Sequence, residues 1–376
     1  MAKASSRHGR ADGAAVEAGV MPAGAGGADF PAIDLPVRPP FPPMEALASE
    51  ALPSGDGWLY EPKWDGFRCV AFRRGPDVLL QSKAGQTLGR YFPELVEALR
   101  ALPDERFVLD GEIVIFTEGA LDFDALLQRI HPAPSRIRTL AAATPTTYLV
   151  FDLLVDAAGA ALVTVPLAER RPRLETWCGR LPAAGSVRLS PATGDRAVAE
   201  QWMRDLGVGG LDGVVAKRLD ATYRSGERTA MRKVKRLRTA DCVVGGFRYA
   251  QAGGEVGSLL LGLYDEDGRL DHVGFSSSFT AAERAALKPI VEPLIEPPGF
   301  TGDAPGGPSR WSTGRSTEWQ PLRPGLVCEV RYDHFSGGRF RHGTKFLRWR
   351  PDKAPAQCTY DQLARPAPIP MIGGTP

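Results

Sequence analysis

The sequence predicts an α+β fold made of two domains, and three features of the chain support this prediction. The chain has 376 residues, which allows two or three compact domains of about 150 residues each. Hydrophobic residues make up 43% of the chain and charged residues 24%, as in globular proteins that bury a core. From Trp58 onward, short apolar strands bounded by turn residues alternate with segments of helical periodicity.

The two ends of the chain are predicted to lie outside these domains. Residues 1–35 are rich in Gly and Ala and can bury little apolar surface, which predicts a disordered tail. Residues 366–376 are predicted to form a C-terminal tail. The sequence has no apolar signal-peptide core and no run of about 18 apolar residues, so we expect a cytoplasmic protein without membrane spans.

The first domain is predicted to span residues 36–238, beginning with an extended proline-rich lead-in. Helices are predicted where apolar residues recur every three or four positions, and strands where short apolar runs end in turn residues. The predicted strands are Trp58–Pro62, Phe67–Arg73, Val78–Ser82, Phe107–Leu109, Ile113–Phe116, Tyr148–Leu154 and Gly213–Lys217. The predicted helices are Tyr91–Ala101, Phe123–Arg129, Leu167–Trp177 and Arg196–Leu206.

The second domain is predicted to span residues 239–365, after a hinge at residues 236–240. Its predicted strands are Cys242–Tyr249, Ser258–Tyr264, Leu270–Ser276, Leu326–Tyr332 and Lys345–Trp349, with one amphipathic helix at Ala281–Ile295. About five short strands with one inserted helix are typical of a small Greek-key β-barrel, the OB-fold.

Charge and cysteine content narrow the classes of function. The formal net charge of +2 argues against a wholly basic nucleic-acid coating protein, but it allows local basic faces. The five cysteines are an odd number and are widely spaced, without a Cys-x-x-Cys pair: Cys69, Cys178, Cys242, Cys328 and Cys358. This pattern disfavours a zinc site or a disulfide framework and fits a reducing compartment.

The run Glu61-Pro62-Lys63-Trp64-Asp65-Gly66-Phe67-Arg68 carries the most specific chemical signal. A lysine between a strand and a glycine turn can project into a pocket, and nearby cations can lower the pKa of its ammonium group. The neutral amine of Lys63 could then attack phosphorus. Arg68 is far enough along the chain to reach a ribose or a phosphate. The alternative is an exposed charged hairpin.

Lys-x-Asp-Gly-x-Arg is the signature of covalent nucleotidyltransferases, and the wider run resembles that of ATP-dependent DNA ligases, most closely the stand-alone bacterial type called LigC. The resemblance covers residues 45–360 and implies an adenylation (nucleotidyltransferase) domain followed by an OB-fold domain. It implies that Lys63 becomes covalently linked to AMP, and that Glu61 and Arg68 bind the nucleotide.

Three further segments resemble family motifs that bind the nucleotide. Lys83, in Ser82-Lys83-Ala84-Gly85, stands where the family has an arginine that contacts the nucleotide or the nick phosphate. Glu112 matches a glutamate that contacts the ribose or a metal ion. Phe151 matches the aromatic residue that stacks on adenine, although a Phe in an apolar strand is more often part of a core.

Two motifs near residues 211–235 are implied to hold phosphate and metal. Asp212 replaces the usual glutamate and is implied to bind Mg²⁺, and Lys217 is implied to contact the AMP phosphate. Lys233 and Lys235 alternate along a strand, so they share one face, where they could grip the α-phosphate. Arg228 belongs to the same motif and is implied to bind the nucleotide. Met231 stands where the family often has Trp.

Arg350-Pro351-Asp352-Lys353 resembles the last family motif, which lies at the end of the second domain. Arg350, Asp352 and Lys353 are implied to orient the pyrophosphate leaving group. They are expected to swing in for adenylation and away when nucleic acid binds.

The resemblance implies that the chain binds ATP, nicked or broken duplex DNA, and Mg²⁺ or alternatively Mn²⁺. It also implies a monomer and a DNA end-binding or repair protein as partner. An RNA ligase or a capping guanylyltransferase is the nearest alternative, and a non-catalytic OB-fold nucleic-acid-binding protein is the alternative of another class. A fragment of a multifunctional end-joining enzyme is a third.

Overall fold

The computed structural model describes residues 30–182, 185–205, 211–236, 238–250, 254–306 and 318–363. Most of the predicted N-terminal tail and all of the predicted C-terminal tail therefore lie outside the described residues. No helix within these ranges is long and apolar enough to cross a membrane.

Within its described residues, the first domain contains two main sheets and five α-helices. Its strands are β1 (Leu47–Ala48), β2 (Trp58–Lys63), β3 (Phe67–Arg74), β4 (Asp77–Ser82), β5 (Arg106–Val114), β6 (Phe116–Thr117), β7 (Ala120–Leu121), β8 (Thr147–Val155), β9 (Val187–Leu189), β10 (Gly213–Arg218) and β11 (Met231–Lys235). Its helices are α1 (Pro93–Arg100), α2 (Phe123–Gln128), α3 (Pro134–Ala143), α4 (Leu167–Cys178) and α5 (Arg196–Asp205).

The larger sheet of the first domain, in the order β4-β3-β5-β8-β9, is covered on both faces. Successive side chains of a strand point to opposite faces, and β3 shows the consequence. Cys69 and Ala71 pack in the core that includes α1, α2 and α4. Val70 and Phe72 pack in a second core with Met231 of β11. This second core joins the larger sheet to the smaller one.

The smaller sheet, in the order β1-β11-β10-β2, brings distant parts of the sequence together. Gly213 of β10 pairs with Lys63 of β2 on one side and with Lys235 of β11 on the other. A side chain at Gly213 would place its Cβ 2.0 Å from the Val234 carbonyl oxygen, so only glycine fits. β2 lies at the edge of this sheet. Pro62 has no N–H group to donate, and an edge strand tolerates this because no further strand pairs with it there.

The second domain contains β12 (Arg238–Tyr249), β13 (Val256–Tyr264), β14 (Leu270–Ser276), α6 (Ala281–Val291), β15 (Gln320–Pro321), β16 (Val327–Tyr332), β17 (Phe335–Ser336), β18 (Arg339–Phe340) and β19 (Lys345–Trp349). The five longer strands follow the order β14-β13-β12-β16-β19. A single parallel bridge between Ser276 and Thr344 joins the two edges of this sheet. The arrangement is that of a partly open Greek-key barrel, with α6 between the third and fourth strands.

The α+β class is confirmed, and each strand and helix predicted above has a counterpart in the structure. One interpretation was wrong in detail: Phe107–Leu109 and Ile113–Phe116 are not two strands around a turn. β5 runs unbroken through Asp110-Gly111-Glu112, because it pairs with β3 from Arg106 to Ile113. Helix α3 and the short strands β1, β6, β7, β9, β15, β17 and β18 were missed. The predicted helix end at Ile295 is also too late, since α6 ends at Val291.

His272 in β14 gives the second domain a predictable sensitivity to acid. The side chain is buried against Phe300, and burial, aided by Arg339 and Arg248, lowers its pKa from 6.5 to about 3. The unfolded chain binds a proton at a higher pH than the folded chain. The free energy of unfolding should therefore fall as the pH drops below 6.5, by about 2 kcal/mol at pH 5.

Urea unfolding at pH 7 and pH 5 tests this prediction in the parent chain and in His272→Leu. The variant should lose this part of the pH dependence. The same fall in stability in both chains would rule out His272 as its source.

Candidate active site

Two adjoining cavities lie where the two sheets of the first domain face each other. The smaller cavity has a volume of about 160 Å³ and the larger cavity about 510 Å³. Arg341 and His342 of the second domain also line the larger cavity. The predicted site residues that line one or both cavities are Glu61, Lys63, Arg68, Lys83, Glu112, Phe151, Asp212, Lys217, Arg228, Lys233 and Lys235.

Lys63 ends β2 and projects into both cavities. The backbone turns sharply after it, and a Cβ at Gly66 would lie 2.3 Å from the Ile113 carbonyl oxygen, so the turn requires glycine. Lys63 Nζ donates a hydrogen bond of 2.5 Å to Asp212. Burial by itself lowers the pKa of Lys63, but Asp212, Asp65 and Glu112 outweigh it and raise the pKa above 10.5. Lys63 is therefore a charged ammonium in this structure.

A buried ion-pair group surrounds Glu61, which is 2% exposed. Its carboxylate accepts Lys217 Nζ at 2.9 Å and Arg171 of α4 at 3.3 Å. Lys217 Nζ also lies 4.3 Å from the centre of the Phe151 ring, and Arg68 lies 4.4 Å from it. Glu61 thus fixes the position of Lys217 at the cavity wall, because a buried charge is stable only when it is paired.

Arg68 is fixed by a partner that the sequence did not single out. Asp110, fully buried in β5, accepts two hydrogen bonds from the Arg68 guanidinium at 2.7 and 2.6 Å. Tyr223 donates its hydroxyl to the same carboxylate at 2.5 Å. The sequence contained a signal, since Asp110 stands two residues before Glu112, but only the pairing of β3 with β5 shows which arginine it meets.

Glu112 faces both cavities beside Arg68 and Lys63. Burial raises the pKa of its carboxyl group to about 8, although Arg68 and Lys63 oppose this shift. Glu112 is therefore largely protonated at pH 7 and can donate a hydrogen bond. A bound cation would displace this proton.

Glu45 links two of the predicted cationic residues at the mouth of the larger cavity. Its carboxylate lies 3.2 Å from Lys83 and 2.8 Å from Arg228. Lys233 and Lys235 both line the larger cavity, as their predicted common face requires. Glu45 itself was not predicted, because it lies in a proline-rich segment without a motif.

The second domain contacts the active site through the segment from Asp333 to His342. Arg341 donates to Asp65 at 2.5 Å and lies 3.8 Å from the centre of the Phe123 ring. Asp333 accepts Lys235 at 2.9 Å. No motif indicated this contact in advance, since Asp65 and Arg341 are 276 positions apart.

Among the described residues, one group of side chains could hold a metal ion: Asp65, Asp212 and His334. Two carboxylates and an imidazole form a donor set that suits a divalent cation. The structure therefore places one predicted metal ligand, Asp212, in this group. It does not place the other, Glu112, there.

Arg350, Asp352 and Lys353 lie in the second domain and line neither cavity. Arg350 pairs with Asp352 at 2.8 Å and with Asp241 of β12 at 2.9 Å. Lys353 pairs with the same Asp241 at 2.6 Å. Asp241, only 8% exposed, thus anchors both cations of the last motif on the second domain.

Comparisons with known proteins agree with this arrangement. The family described as ATP dependent DNA ligase domain matches residues 44–235, and the one described as ATP dependent DNA ligase C terminal region matches residues 252–353. The chain is 47% identical over 352 residues to DNA ligase C1 of Mycolicibacterium smegmatis, which covers 89% of this chain and 97% of that protein. It is 45% identical over 357 residues to DNA ligase C of Mycobacterium tuberculosis, covering 90% and 97%. A solved structure designated Pmar-Lig_PreS3 shares the fold, with a TM-score of 0.53 at 16% identity over 78% of this chain and 64% of that one.

Proposed function

The chain belongs to the family of ATP-dependent DNA ligases, and from this premise we propose that Lys63 carries AMP from ATP to the 5′-phosphate of a DNA break. The observation that carries this proposal is the position of Lys63, whose amine lines both cavities directly after β2 and lies beside Arg68, Lys217 and Lys233. Three displacements at phosphorus make up the reaction.

In the first displacement, the deprotonated Lys63 nitrogen attacks the α-phosphorus of ATP. The nitrogen–phosphorus bond forms and pyrophosphate leaves. Lys63 must lose its proton before it attacks, yet Asp212 stabilises the ammonium form at 2.5 Å. A divalent cation bound at Asp212 would supply positive charge that lowers the pKa of Lys63 and offsets the charge of the phosphates.

The cationic residues around the cavities bind and orient the nucleotide. Lys217, anchored by Glu61, faces the position of the α-phosphate, and Lys233 and Lys235 grip it from the neighbouring strand. Arg68, held rigidly by Asp110, binds the ribose or a phosphate. Each displacement at phosphorus depends on fixed charges around the phosphate more than on proton transfer.

Phe151 is proposed to stack on adenine. Its ring is 7% exposed and lines the smaller cavity, which supports this role. Lys83 and Arg228 are proposed to bind the 5′-phosphate of the DNA break at the mouth of the larger cavity, where Glu45 now pairs with both.

In the second displacement, a 5′-phosphate oxygen of DNA attacks the AMP phosphorus and Lys63 leaves. In the third, a 3′-hydroxyl attacks the 5′-phosphorus and AMP leaves. The DNA backbone would contact the larger cavity without base readout, because phosphate contacts position a protein on DNA but carry no sequence information. We propose that breaks in duplex DNA are sealed in this way during DNA repair.

The last motif acts, in our proposal, when the second domain reorients. Arg350, Asp352 and Lys353 lie away from Lys63 here and would approach it for the first displacement. The hinge would lie near residues 236–240, between the first domain at 36–238 and the second at 239–365. The two family matches support this division, since the first ends at residue 235 and the second begins at residue 252. Leu237, within the hinge, lies outside the described residues.

Asp241→Asn should slow the first displacement specifically. The substitution removes the charge that orients Arg350 and Lys353 but keeps the shape of the side chain. We expect the rate of Lys63 adenylation to fall about tenfold, equivalent to about 1.4 kcal/mol. Sealing of a DNA nick that already carries AMP, measured in the same preparation, should stay near the parental rate. An equal loss in both reactions would show that Asp241 only stabilises the domain.

The proposed function is tested by incubating the pure chain with α-labelled ATP or α-labelled GTP and a divalent cation. Label from ATP that stays on the denatured protein, and leaves it when nicked duplex DNA is added, is the expected result. Label released to nicked RNA but not to DNA would favour an RNA ligase. Label from GTP alone would favour a capping enzyme. Absence of label from both would favour a binding protein.

We further propose Mg²⁺ or Mn²⁺ as the cation, a monomeric chain in the cytoplasm, and delivery to DNA ends by an end-binding or repair protein. The carboxylates around Lys63 support the cation, because hard divalent ions bind oxygen ligands beside phosphates.

A further inference from the structure

The carboxylate of Glu45 lies between two cations at the mouth of the larger cavity. One of its oxygens, Oε2, lies 3.2 Å from Lys83 Nζ and 2.8 Å from Arg228 Nη2. Arg228 Nε donates a hydrogen bond to the same oxygen at 3.0 Å. Lysine and arginine nitrogens surround a bound phosphate oxygen in the same way. Glu45 therefore occupies the position at which these two cations would bind a phosphate.

The backbone of Glu45 is fixed, whereas its side chain can leave this position. Its N–H donates to the carbonyl of Glu227 at 2.9 Å, and β1, which pairs with β11, begins two residues later. The side chains of Glu45, Lys83 and Arg228 are 24%, 44% and 55% exposed. Ion pairs with this exposure contribute little to stability. A rotation of the Glu45 side chain therefore frees both cations at little cost and without movement of the strand.

Charge decides which anions can replace the carboxylate. A carboxylate carries one negative charge, as does each phosphodiester within a sealed strand. A terminal phosphate carries nearly two negative charges at neutral pH and has three acceptor oxygens. Two charges attract Lys83 and Arg228 more strongly than one. A 5′-phosphate can therefore displace Glu45, whereas the phosphodiester of a sealed strand competes with Glu45 on about equal terms.

We propose that Glu45 is an internal competitor for the 5′-phosphate of the DNA break. Its carboxylate leaves Lys83 and Arg228 when a 5′-phosphate binds, and it returns when the sealed strand departs. Glu45 thus lowers the affinity for any strand that places a phosphate at this position, and so favours release of the product. This inference rests on the proposed binding of the 5′-phosphate by Lys83 and Arg228.

Binding of two fluorescent nicked duplexes to the full chain tests this inference. The duplexes differ only in a 5′-phosphate or a 5′-hydroxyl at the nick. A 3′-deoxy end and a chelator prevent sealing. Glu45→Gln keeps the shape and one acceptor oxygen of the side chain but removes its charge. The preference for the 5′-phosphate duplex, measured as the ratio of the two dissociation constants, should rise about five- to tenfold, because a like charge close to the phosphate is lost.

Two further measurements accompany this ratio. The sealed duplex should bind to Glu45→Gln about fivefold more tightly than to the parent, since its phosphodiester no longer competes with a carboxylate. Glu227→Gln is the matched control, because it removes the same charge nearby from a side chain that pairs with Arg224 at 3.6 Å. The preference of this control for the 5′-phosphate duplex should equal that of the parent.

The direction of the change in Glu45→Gln distinguishes a competitor from a positioning group. A weaker preference for the 5′-phosphate duplex would show that Glu45 positions the cations for phosphate, and an unchanged preference would show that it does not act at this position. Either result overturns the inference. Lys83→Met separates this failure from failure of the proposed function. If Lys83→Met keeps the parental preference, the proposed role of Lys83 is wrong. If Lys83→Met loses the preference while Glu45→Gln leaves it unchanged, only the inference about Glu45 fails.

Discussion

Lys63→Ala is expected to abolish the transfer of AMP from ATP to the protein. The variant lacks the only group proposed to form the covalent bond, so labelling from α-labelled ATP should fall by about 10⁴-fold or more, as for other lost nucleophiles. Ligation that starts from ATP should be lost to the same extent. Residual labelling near the parental level would show that another side chain is the nucleophile.

A DNA nick that already carries AMP provides the control for this variant. The third displacement joins the 3′-hydroxyl to the 5′-phosphorus and does not use Lys63 as a nucleophile. Lys63→Ala should therefore seal pre-adenylated nicks within about tenfold of the parental rate, since the other cationic residues around the cavities remain. Loss of this activity as well would indicate damage to the site rather than removal of the nucleophile.

Lys217→Met is expected to have the second largest effect. It keeps the length of the side chain but removes the charge proposed to stabilise the α-phosphate in the displacement. Adenylation should slow by about 10²- to 10³-fold, the range seen when one fixed donor to a transition state is removed. The rate is measured by the appearance of label on the protein at saturating ATP.

Lys217→Met should lower the stability of the first domain less than the burial of the Lys217 side chain suggests. Glu61 loses Lys217 but keeps Arg171 at 3.3 Å, so its carboxylate is not left unpaired.

Arg218→Met is the matched control for the adenylation rate of Lys217→Met. Arg218 is the next residue of β10, is exposed, and forms its ion pair with Asp220 on the surface. Arg218→Met should adenylate at the parental rate. A comparable fall in the adenylation rate of both variants would show that the rate depends on the integrity of β10 and not on the charge of Lys217.

Much of the fold followed from patterns that act over short distances. The periodicity of α1 and α4 and the short apolar runs of the strands predicted these elements to within a few residues. Helix α3 was missed because its apolar spacing is weak, with only Ile137 and Ala141 buried. β5 was divided in two because Asp110-Gly111-Glu112 resembles a turn, whereas pairing with β3 keeps it extended.

The sequence also determined the family, and it predicted residues that the structure brings together around the two cavities. The ordered motifs from Lys63 to Lys353 indicated an ATP-dependent DNA ligase, and the family match confirms this. Motifs predict which residue types meet, because a displacement at phosphorus needs an amine, fixed cations and acidic ligands in one place. The cavities then contain all the predicted residues between Glu61 and Lys235.

Only the tertiary structure decided the partners and charge states of these residues. Lys63 is held as an ammonium group by Asp212, which lies 149 positions away, and Arg68 is held by Asp110 across two strands. Arg341 and His334 reach the site from another domain, and Asp241 anchors the last motif on the second domain. The physical reason is that periodicity and motif spacing are local properties of the chain. The pKa of a group and its ion pairs depend instead on distances of a few ångströms and on burial, which arise only when remote segments pack together.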